Sequence, residues 1–195
     1  MKKYKQTPSQ TIGPFFAHGL TPEQYHYDFN SIVSPVIADA LAKGEHIIIK
    51  GNVFDGSGNT VLDAMLEFWH CDAKGKYLQK EQDPKGSGFK GFGRVGTGMN
   101  KHHIYEVKTI KPKGIKGEAP FINVTLFMRG MLNHQFTRIY FSDEKELNAT
   151  DSVLNLVPKS RRKTLVAKRR ELAGLVIYEF DIHVQGKKET VFFDL

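Results

Sequence analysis

Histidine and cysteine side chains are the first candidates for chemistry in this sequence, because both residue types commonly bind metals. The chain contains 8 histidines and 1 cysteine. His70, Cys71 and Asp72 are consecutive and could form a ligand cluster, but no second cluster follows at the spacing of a zinc site. His102 and His103 are adjacent, so in a strand their side chains would face opposite sides. We therefore expect the first group to be strand-end residues and the second to be surface residues.

Two carboxylates offer a different kind of chemistry. Asp63 and Glu67 are four residues apart on one predicted strand, so they share a face. Such a pair could act as a general acid and a general base. We favour the alternative that each carboxylate pairs with nearby positive charge.

Basic residues give the chain a net charge of +7. The densest basic stretch, 159–170, has no interleaved aromatic residues and no nucleic-acid motif around it. We expect a solvated or subunit-facing surface there. The positive charge could also attract a small anion or simply keep the protein in solution.

Composition places the chain among ordinary globular proteins. It has 195 residues, of which 40% are hydrophobic and 25% are charged. No apolar run approaches the roughly 20 residues that a membrane-spanning helix needs. The stretch 1–10 is polar and lacks the apolar core of a secretory signal. A single cysteine rules out an internal disulfide, and we expect a cytoplasmic protein.

The first 43 residues differ from the rest of the chain. The stretch 7–16 carries two prolines, a glycine and paired aromatic residues. Each proline keeps the residue before it out of the helical region, which predicts an extended arm. Apolar residues then repeat at helical spacing between Pro35 and Lys43, which predicts a helix.

From His46 onward the pattern is that of strands separated by turn residues. The clearest alternation runs through 176–184, and helical content after residue 44 is expected only within 144–170. A glycine-rich loop is expected at 74–98. The predicted strands are 46–55, 65–69, 103–110, 121–128, 136–141, 176–184 and 190–193. We therefore predict a mainly β chain of one domain, 1–195, with an N-terminal arm and helix over 1–43 and a β-sandwich over 44–195.

Several motifs, taken in order, resemble intradiol ring-cleavage dioxygenases. They are 7–14 (TPSQTIGP), 51–58 (GNVFDGSG), the stretch 63–77, 109–112 (TIKP), 127–130 (FMRG), 137–141 (TRIYF), 162–169 (RKTLVAKR) and 180–194. Each motif alone is weak, but the ordered set spans nearly the whole chain. The resemblance implies a mixed β-sandwich with a few peripheral helices. It also implies an obligate pair of related chains within a larger assembly, in which Fe(III) is bound by two tyrosines and two histidines of the catalytic chain.

The ligand positions of that family carry other residues here. Phe121 and Asn123 stand where the two histidines would be, and Glu118 stands where a catalytic chain has arginine. Neither 113–117 nor the loop between Tyr77 and Gly93 contains a tyrosine. Phenylalanine cannot bind a metal, and asparagine is a poor ligand for ferric iron. We expect no catalytic residue and no metal on this chain, and Fe(III) on the related partner chain.

The resemblance also implies residues through which an iron-free chain could contribute to the shared site. Arg129, Thr11 and Phe15 match positions that line the substrate pocket, and an arginine there would attract the carboxylate of an aromatic acid. Each also has an ordinary alternative. Arg129 could be a surface residue, Thr11 a cap or interface residue, and Phe15 a buried interface residue. Arg138 is a second candidate for the anion, although its position in the strand favours structural pairing.

Two other functions stay open on the sequence. The chain could be a pseudoenzyme that binds an aromatic acid without a partner. It could also be a β-sandwich interaction module with no catalysis. Binding of the acid by the isolated chain favours the first, and indifference to both ligand and partner favours the second.

Overall fold

The structure, a computed structural model, describes Gly13 and residues 15–78 and 86–194; of Phe15 and Phe16 it describes the backbone alone. Nine strands dominate this part of the chain. They are β1 (His46–Phe54), β2 (Met65–Trp69), β3 (Phe92–Gly96), β4 (Ile104–Ile110), β5 (Phe121–Phe127), β6 (Gln135–Phe141), β7 (Val166–Leu172), β8 (Leu175–Glu179) and β9 (Ile182–His183). The helices are α1 (Phe15–Leu20), α2 (Lys145–Thr150) and α3 (Ser152–Leu156), with 3-10 helices at Pro22–Tyr25, Thr97–Met99 and Arg162–Leu165.

The strands follow the order β3-β2-β5-β6-β7-β8-β1-β4 and fold into two layers, with β9 paired to β1. Strand β7 passes from one layer to the other. Its first two residues pair in parallel with β6, and the rest of it pairs antiparallel with β8. Strand β1 also runs parallel to β8 and β9, whereas the ladders β1–β4, β2–β3, β2–β5 and β5–β6 are antiparallel. The predicted mixed β-sandwich with few short helices is confirmed.

One hydrophobic core lies between the two layers. In β5, Ile122, Val124 and Leu126 are 0–1% exposed, and in β1, Ile47 and Ile49 are 0–2% exposed. All five belong to one buried cluster. Because alternate residues of a strand point to opposite faces, the residues between them lie on the outer face of each layer.

A second, smaller cluster covers part of the outer face of β5 and β6. It consists of Ala119, Phe121, Tyr140, Leu154, Val157 and Leu165. The fully buried carboxylate of Asp151 ties this cluster together. It accepts hydrogen bonds from Leu154 N at 2.6 Å, from Ala119 N at 2.9 Å and from the Tyr140 hydroxyl at 3.1 Å. Asp151 is also the N-cap of α3.

The predicted helix between Pro35 and Lys43 is wrong. The segment is extended at 36–39 and turns at 40–41, because most of its backbone bonds are made to neighbouring segments and one, from Ala42 N to Asp39 O, closes the turn. Ile37 N donates to Lys108 O of β4 at 2.8 Å, and Asp39 N donates to Gly88 O at 2.8 Å. The apolar spacing instead buries Ile37 and Ala42 in the core.

The expected extended conformation of the arm is also wrong at Phe15, where α1 begins. A proline restricts the residue before it, not the residue after it, so a helix can follow Pro14 directly. The remainder of the predicted arm, residues 1–12, lies outside the described residues.

Two strands occur where the sequence predicted a loop or helices. β3 lies in the glycine-rich stretch because Gly93 and Gly96 leave room for the side chains of Ile37 and Gln24, with which an added Cβ would collide. β7 contains the last three residues of the basic stretch, 168–170, and part of their charge is balanced across the sheet. Arg170 Nε lies 2.6 Å from a carboxylate oxygen of Glu179 in the neighbouring strand. By contrast, the predicted last strand forms a single bridge, between Phe136 and Phe193.

None of the helices in the described part of the chain is long and apolar enough to cross a membrane.

Replacing Asp151 with alanine should destabilise the chain by about 3 kcal/mol, because three buried donors lose their acceptor. Urea unfolding followed by the fluorescence of Trp69, the only tryptophan, measures the effect. The control is Asp39→Ala, since the exposed Asp39 accepts one local hydrogen bond, from Leu41 N at 2.9 Å. We expect that control to change stability by less than about 0.5 kcal/mol. Equal effects of the two substitutions would contradict the role of Asp151.

Candidate functional site

Phe121 and Asn123, the two positions expected from the resemblance to carry histidine, lie on the same face of β5. Phe121 pairs with Tyr140 across the sheet, and Asn123 pairs with Arg138 on one side and Trp69 on the other. Because these residues alternate with the core residues of the same strands, they form a separate surface. We call this surface the outer face of β5.

A guanidinium occupies the middle of the outer face of β5. The central carbon of Arg138 lies 3.9 Å from the ring centroid of Phe121, which is a cation–π contact. Its Nη1 atom lies 3.1 Å from an oxygen of Glu118 and donates to the Tyr140 hydroxyl at 3.4 Å. Tyr140 in turn donates to Asp151. The expected structural pairing of Arg138 is therefore present.

An aromatic pair covers the other end of the outer face of β5. The rings of Trp69 and Tyr77 lie 4.4 Å apart, and Trp69 is the cross-strand neighbour of Asn123. Burial raises the pKa of Tyr77 above its ordinary value. No pattern in the sequence indicates that Tyr77 joins this surface, because Tyr77 lies eight positions after Trp69, in a predicted loop. Residues 79–85 lie outside the described part of the chain.

The outer face of β5 does not fit Fe(III). The resemblance implies phenolate and imidazole ligands for ferric iron, whereas the two positions expected to carry imidazoles hold a phenyl ring and an amide, and a guanidinium lies beside them. The carboxylate of Glu118 is already paired with that guanidinium. Burial also raises the pKa of Tyr140 well above its ordinary value, so its phenol stays protonated at neutral pH. Among the described residues, no group of three or more histidine, cysteine or acidic side chains could hold a metal ion.

His70, the candidate ligand at the end of β2, is a fully buried structural residue. Its Nδ1 lies 2.7 Å from the carbonyl oxygen of Cys71 and its Nε2 lies 2.8 Å from the hydroxyl of Thr109. Since a carbonyl can only accept, Nδ1 carries the proton and Nε2 accepts from Thr109. Burial lowers the pKa of His70 to about 4, so the ring is neutral at pH 7.

The candidate acid–base pair of Asp63 and Glu67 is not formed. Glu67 accepts from Nε and Nη2 of Arg94 at 2.9 and 2.7 Å. Asp63 instead pairs with Arg129, whose Nε lies 2.8 Å from its carboxylate. Both carboxylates thus pair with positive charge, as the sequence analysis favoured.

Arg129 follows β5 and lines a cleft of about 840 Å³. The Arg129 side chain is 64% exposed, whereas the Asp63 side chain beside it is 9% exposed. The cleft also contains the apolar side chains of Met128, Met131 and Phe192. The lining also includes the charged side chains of Asp55, Arg161 and Glu189. A cleft that combines apolar side chains with an exposed guanidinium is suited to a small aromatic anion.

The N-terminal helices are connected to the same end of the molecule. Gln24 accepts from Gly98 N at 2.9 Å and donates to the Thr21 hydroxyl at 3.0 Å. Burial raises the pKa of Tyr25, and the charges of Asp63 and Arg129 act on it as well. Tyr25 is therefore close to that ion pair. The chain segment that follows α1 lies near Arg129.

Of the three predicted substrate-binding residues, the structure describes one side chain, that of Arg129. Thr11 lies outside the described residues, and Phe15 is described by its backbone at the start of α1. Their roles stay predictions. Asp63 is the residue near Arg129 that the sequence analysis did not connect with it, since 66 positions separate the two residues.

The chain is similar to known proteins over its full length. The dioxygenase family model matches residues 13–120. A protocatechuate 3,4-dioxygenase alpha chain from Burkholderia cepacia is 55% identical over 197 residues, which cover 100% of this chain and 100% of that one. The beta chain of protocatechuate 3,4-dioxygenase from the same organism is 29% identical over 161 residues, which cover 75% of this chain and 67% of that one. Among solved structures, an intradiol ring-cleavage dioxygenase from Tetranychus urticae has a TM-score of 0.60 at 15% identity, covering 92% of this chain and 94% of that one.

Replacing His70 with glutamine should flatten the dependence of stability on pH. The folded chain takes up a proton on His70 at about pH 4, whereas the ordinary value is 6.5. Because the unfolded state binds that proton first, the wild-type chain is fully stabilised above pH 6.5 and loses about 3 kcal/mol as the pH falls from 6.5 to about 4. Urea unfolding at a series of pH values measures this loss.

His26→Gln, which removes an exposed histidine, is the control for that experiment. If the His70→Gln variant kept the wild-type pH dependence, burial of a neutral His70 would be contradicted.

Proposed function

The chain belongs to the intradiol ring-cleavage dioxygenase family, and we propose that it is the iron-free alpha chain of a protocatechuate 3,4-dioxygenase. The observation that carries the proposal is the outer face of β5, where Phe121 and Asn123 stand at the two positions expected to carry iron-binding histidines and Arg138 lies over the ring of Phe121. The full-length similarity to an alpha chain supports the same assignment.

The partner in this proposal is a beta chain, which holds Fe(III). The iron supplies the ring-opening chemistry, in which both atoms of O2 enter protocatechuate to give 3-carboxy-cis,cis-muconate, a step of aromatic catabolism in the beta-ketoadipate pathway. The alpha chain contributes binding, orientation and exclusion of water. By itself it is inactive.

Arg129 is the residue that we assign to the substrate carboxylate. Its exposed guanidinium carries a full charge and lies at a cleft that also contains the apolar side chains of Met128, Met131 and Phe192. A charge-assisted hydrogen bond from arginine to carboxylate is stronger than a neutral one and fixes direction as well as position. Thr11 and Phe15 complete this part of the pocket in the proposal, because the resemblance matches both to positions that line the substrate pocket.

We also propose that the chain is one domain and that it is cytoplasmic. Strands from both layers of the sandwich share one core, which supports a single domain. The only cysteine is buried and unpaired, as is usual for a protein in a reducing compartment.

The first test is the distribution of iron and activity. We expect iron and protocatechuate-dependent O2 uptake in the complex co-purified with the beta chain, and neither in the chain alone. Metal analysis and an oxygen electrode measure the two quantities. Iron and turnover in the isolated chain would contradict the proposal, because they would require ligands on residues that the structure uses otherwise. Protocatechuate binding by the isolated chain, together with no activity in the complex, would favour the pseudoenzyme.

Replacing Arg129 with alanine in the complex should raise KM for protocatechuate about tenfold or more and change kcat little, because a remote carboxylate contact contributes equally to substrate and transition-state binding. Steady-state kinetics measure both constants. The matched control is Arg170→Ala, which removes an arginine of 66% exposure that also pairs with a carboxylate through Nε. An unchanged KM for Arg129→Ala, or an equal rise in the control, would rule out the assignment of Arg129.

A further inference from the structure

We infer that Asp63 is a positioning residue that holds the guanidinium of Arg129 for binding of the substrate carboxylate. The inference rests on the proposed function of this chain and extends it to a residue that does not itself contact the substrate.

The evidence begins with the geometry of the ion pair. Asp63 Oδ2 lies 2.8 Å from Nε of Arg129, at the inner edge of the guanidinium. Among the described residues, no ion pair or hydrogen bond engages the two Nη atoms of Arg129. These atoms form the outer edge of the guanidinium, which can accommodate both oxygens of a carboxylate. One edge is therefore anchored while the other is available to a ligand.

The anchor itself is rigid. The carboxylate of Asp63 is buried, and the next residue, Ala64, is fully buried. Ala64 is fixed to Thr97 in both directions, because Ala64 N donates to the Thr97 hydroxyl at 3.1 Å and Thr97 N donates to Ala64 O at 2.9 Å. A buried carboxylate needs a positive partner, so Asp63 restricts a long side chain that would otherwise sample many rotamers in solvent.

The second acidic residue of this segment shows the contrast. Glu67 uses one oxygen to bind both Nε and Nη2 of Arg94, and the two side chains are 19% and 12% exposed. That pair is enclosed and leaves little of its arginine for a ligand. Glu67→Gln is therefore the matched control. It also removes a carboxylate that pairs with an arginine, and it leaves Arg129 and its partner unchanged.

The test uses the complex with the beta chain and three variants, Asp63→Asn, Arg129→Ala and the double variant. We expect Asp63→Asn to raise KM for protocatechuate about tenfold with kcat and iron content nearly unchanged. We expect the double variant to have the KM of Arg129→Ala alone, because a residue that acts through Arg129 has no effect once Arg129 is absent. Glu67→Gln should keep the wild-type KM.

Other results would overturn the inference. An unchanged or lowered KM in Asp63→Asn would show that the carboxylate does not position Arg129, or that it competes with the substrate. Independent effects that multiply in the double variant would indicate a merely structural role. If Asp63→Asn does not assemble, Asp63→Glu replaces it, and a KM between those of the wild type and Arg129→Ala is then expected, whereas a wild-type KM contradicts the inference.

Failure of the proposed function gives a different pattern. A wild-type complex that does not turn over protocatechuate contradicts the proposed function. A wild-type complex that is active, with KM raised by Arg129→Ala but not by Asp63→Asn, contradicts the positioning role alone.

Discussion

The alternation of side chains along β5 is the constraint on which the rest of the structure depends. Ile122, Val124 and Leu126 must fill the core, so Phe121 and Asn123 are committed to the outer face. A shift of one residue in pairing would exchange the two sets, which the burial of the core set forbids. The residues that decide metal binding are therefore separate from the residues that decide the fold. This separation explains how a chain can keep the family's sandwich without residues that fit its metal.

The outer face of β5 is stabilised by other interactions. Arg138 brings a positive charge to a partly buried surface, and such a charge is costly unless it is paired. Glu118 supplies the opposite charge, Phe121 supplies a ring face, and Tyr140 connects the guanidinium with the buried Asp151. Asp151 in turn caps α3, so the helix that covers this face depends on the same set of polar contacts.

Much of this arrangement could be predicted from the sequence, and the predictions that are wrong have physical reasons. Period-two alternation identified most strands, because half-buried strands must alternate. Two predictions are wrong, the helix between Pro35 and Lys43 and the loop across β3. Contacts with distant segments determine the backbone conformation of both. At the candidate site, the absence of ligands could be predicted from Phe121 and Asn123, because it depends on residue type alone. The pairing of Asp63 with Arg129 could not, because it depends on how distant segments meet in space.

Arg138 in the middle of β6 and Arg129 just after β5 show why exposure, rather than charge, separates a structural arginine from the arginine that we propose for binding. The Arg138 side chain is 21% exposed. Glu118 and the Tyr140 hydroxyl engage its Nη1 and the ring of Phe121 lies against its guanidinium, so little of this side chain is open to a ligand. The Arg129 side chain is 64% exposed and is held at one nitrogen by a carboxylate that is itself 9% exposed. An arginine anchored on its protein side and open on its solvent side loses less freedom when it meets an anion. The net charge of +7 cannot make this distinction, because it counts both residues equally.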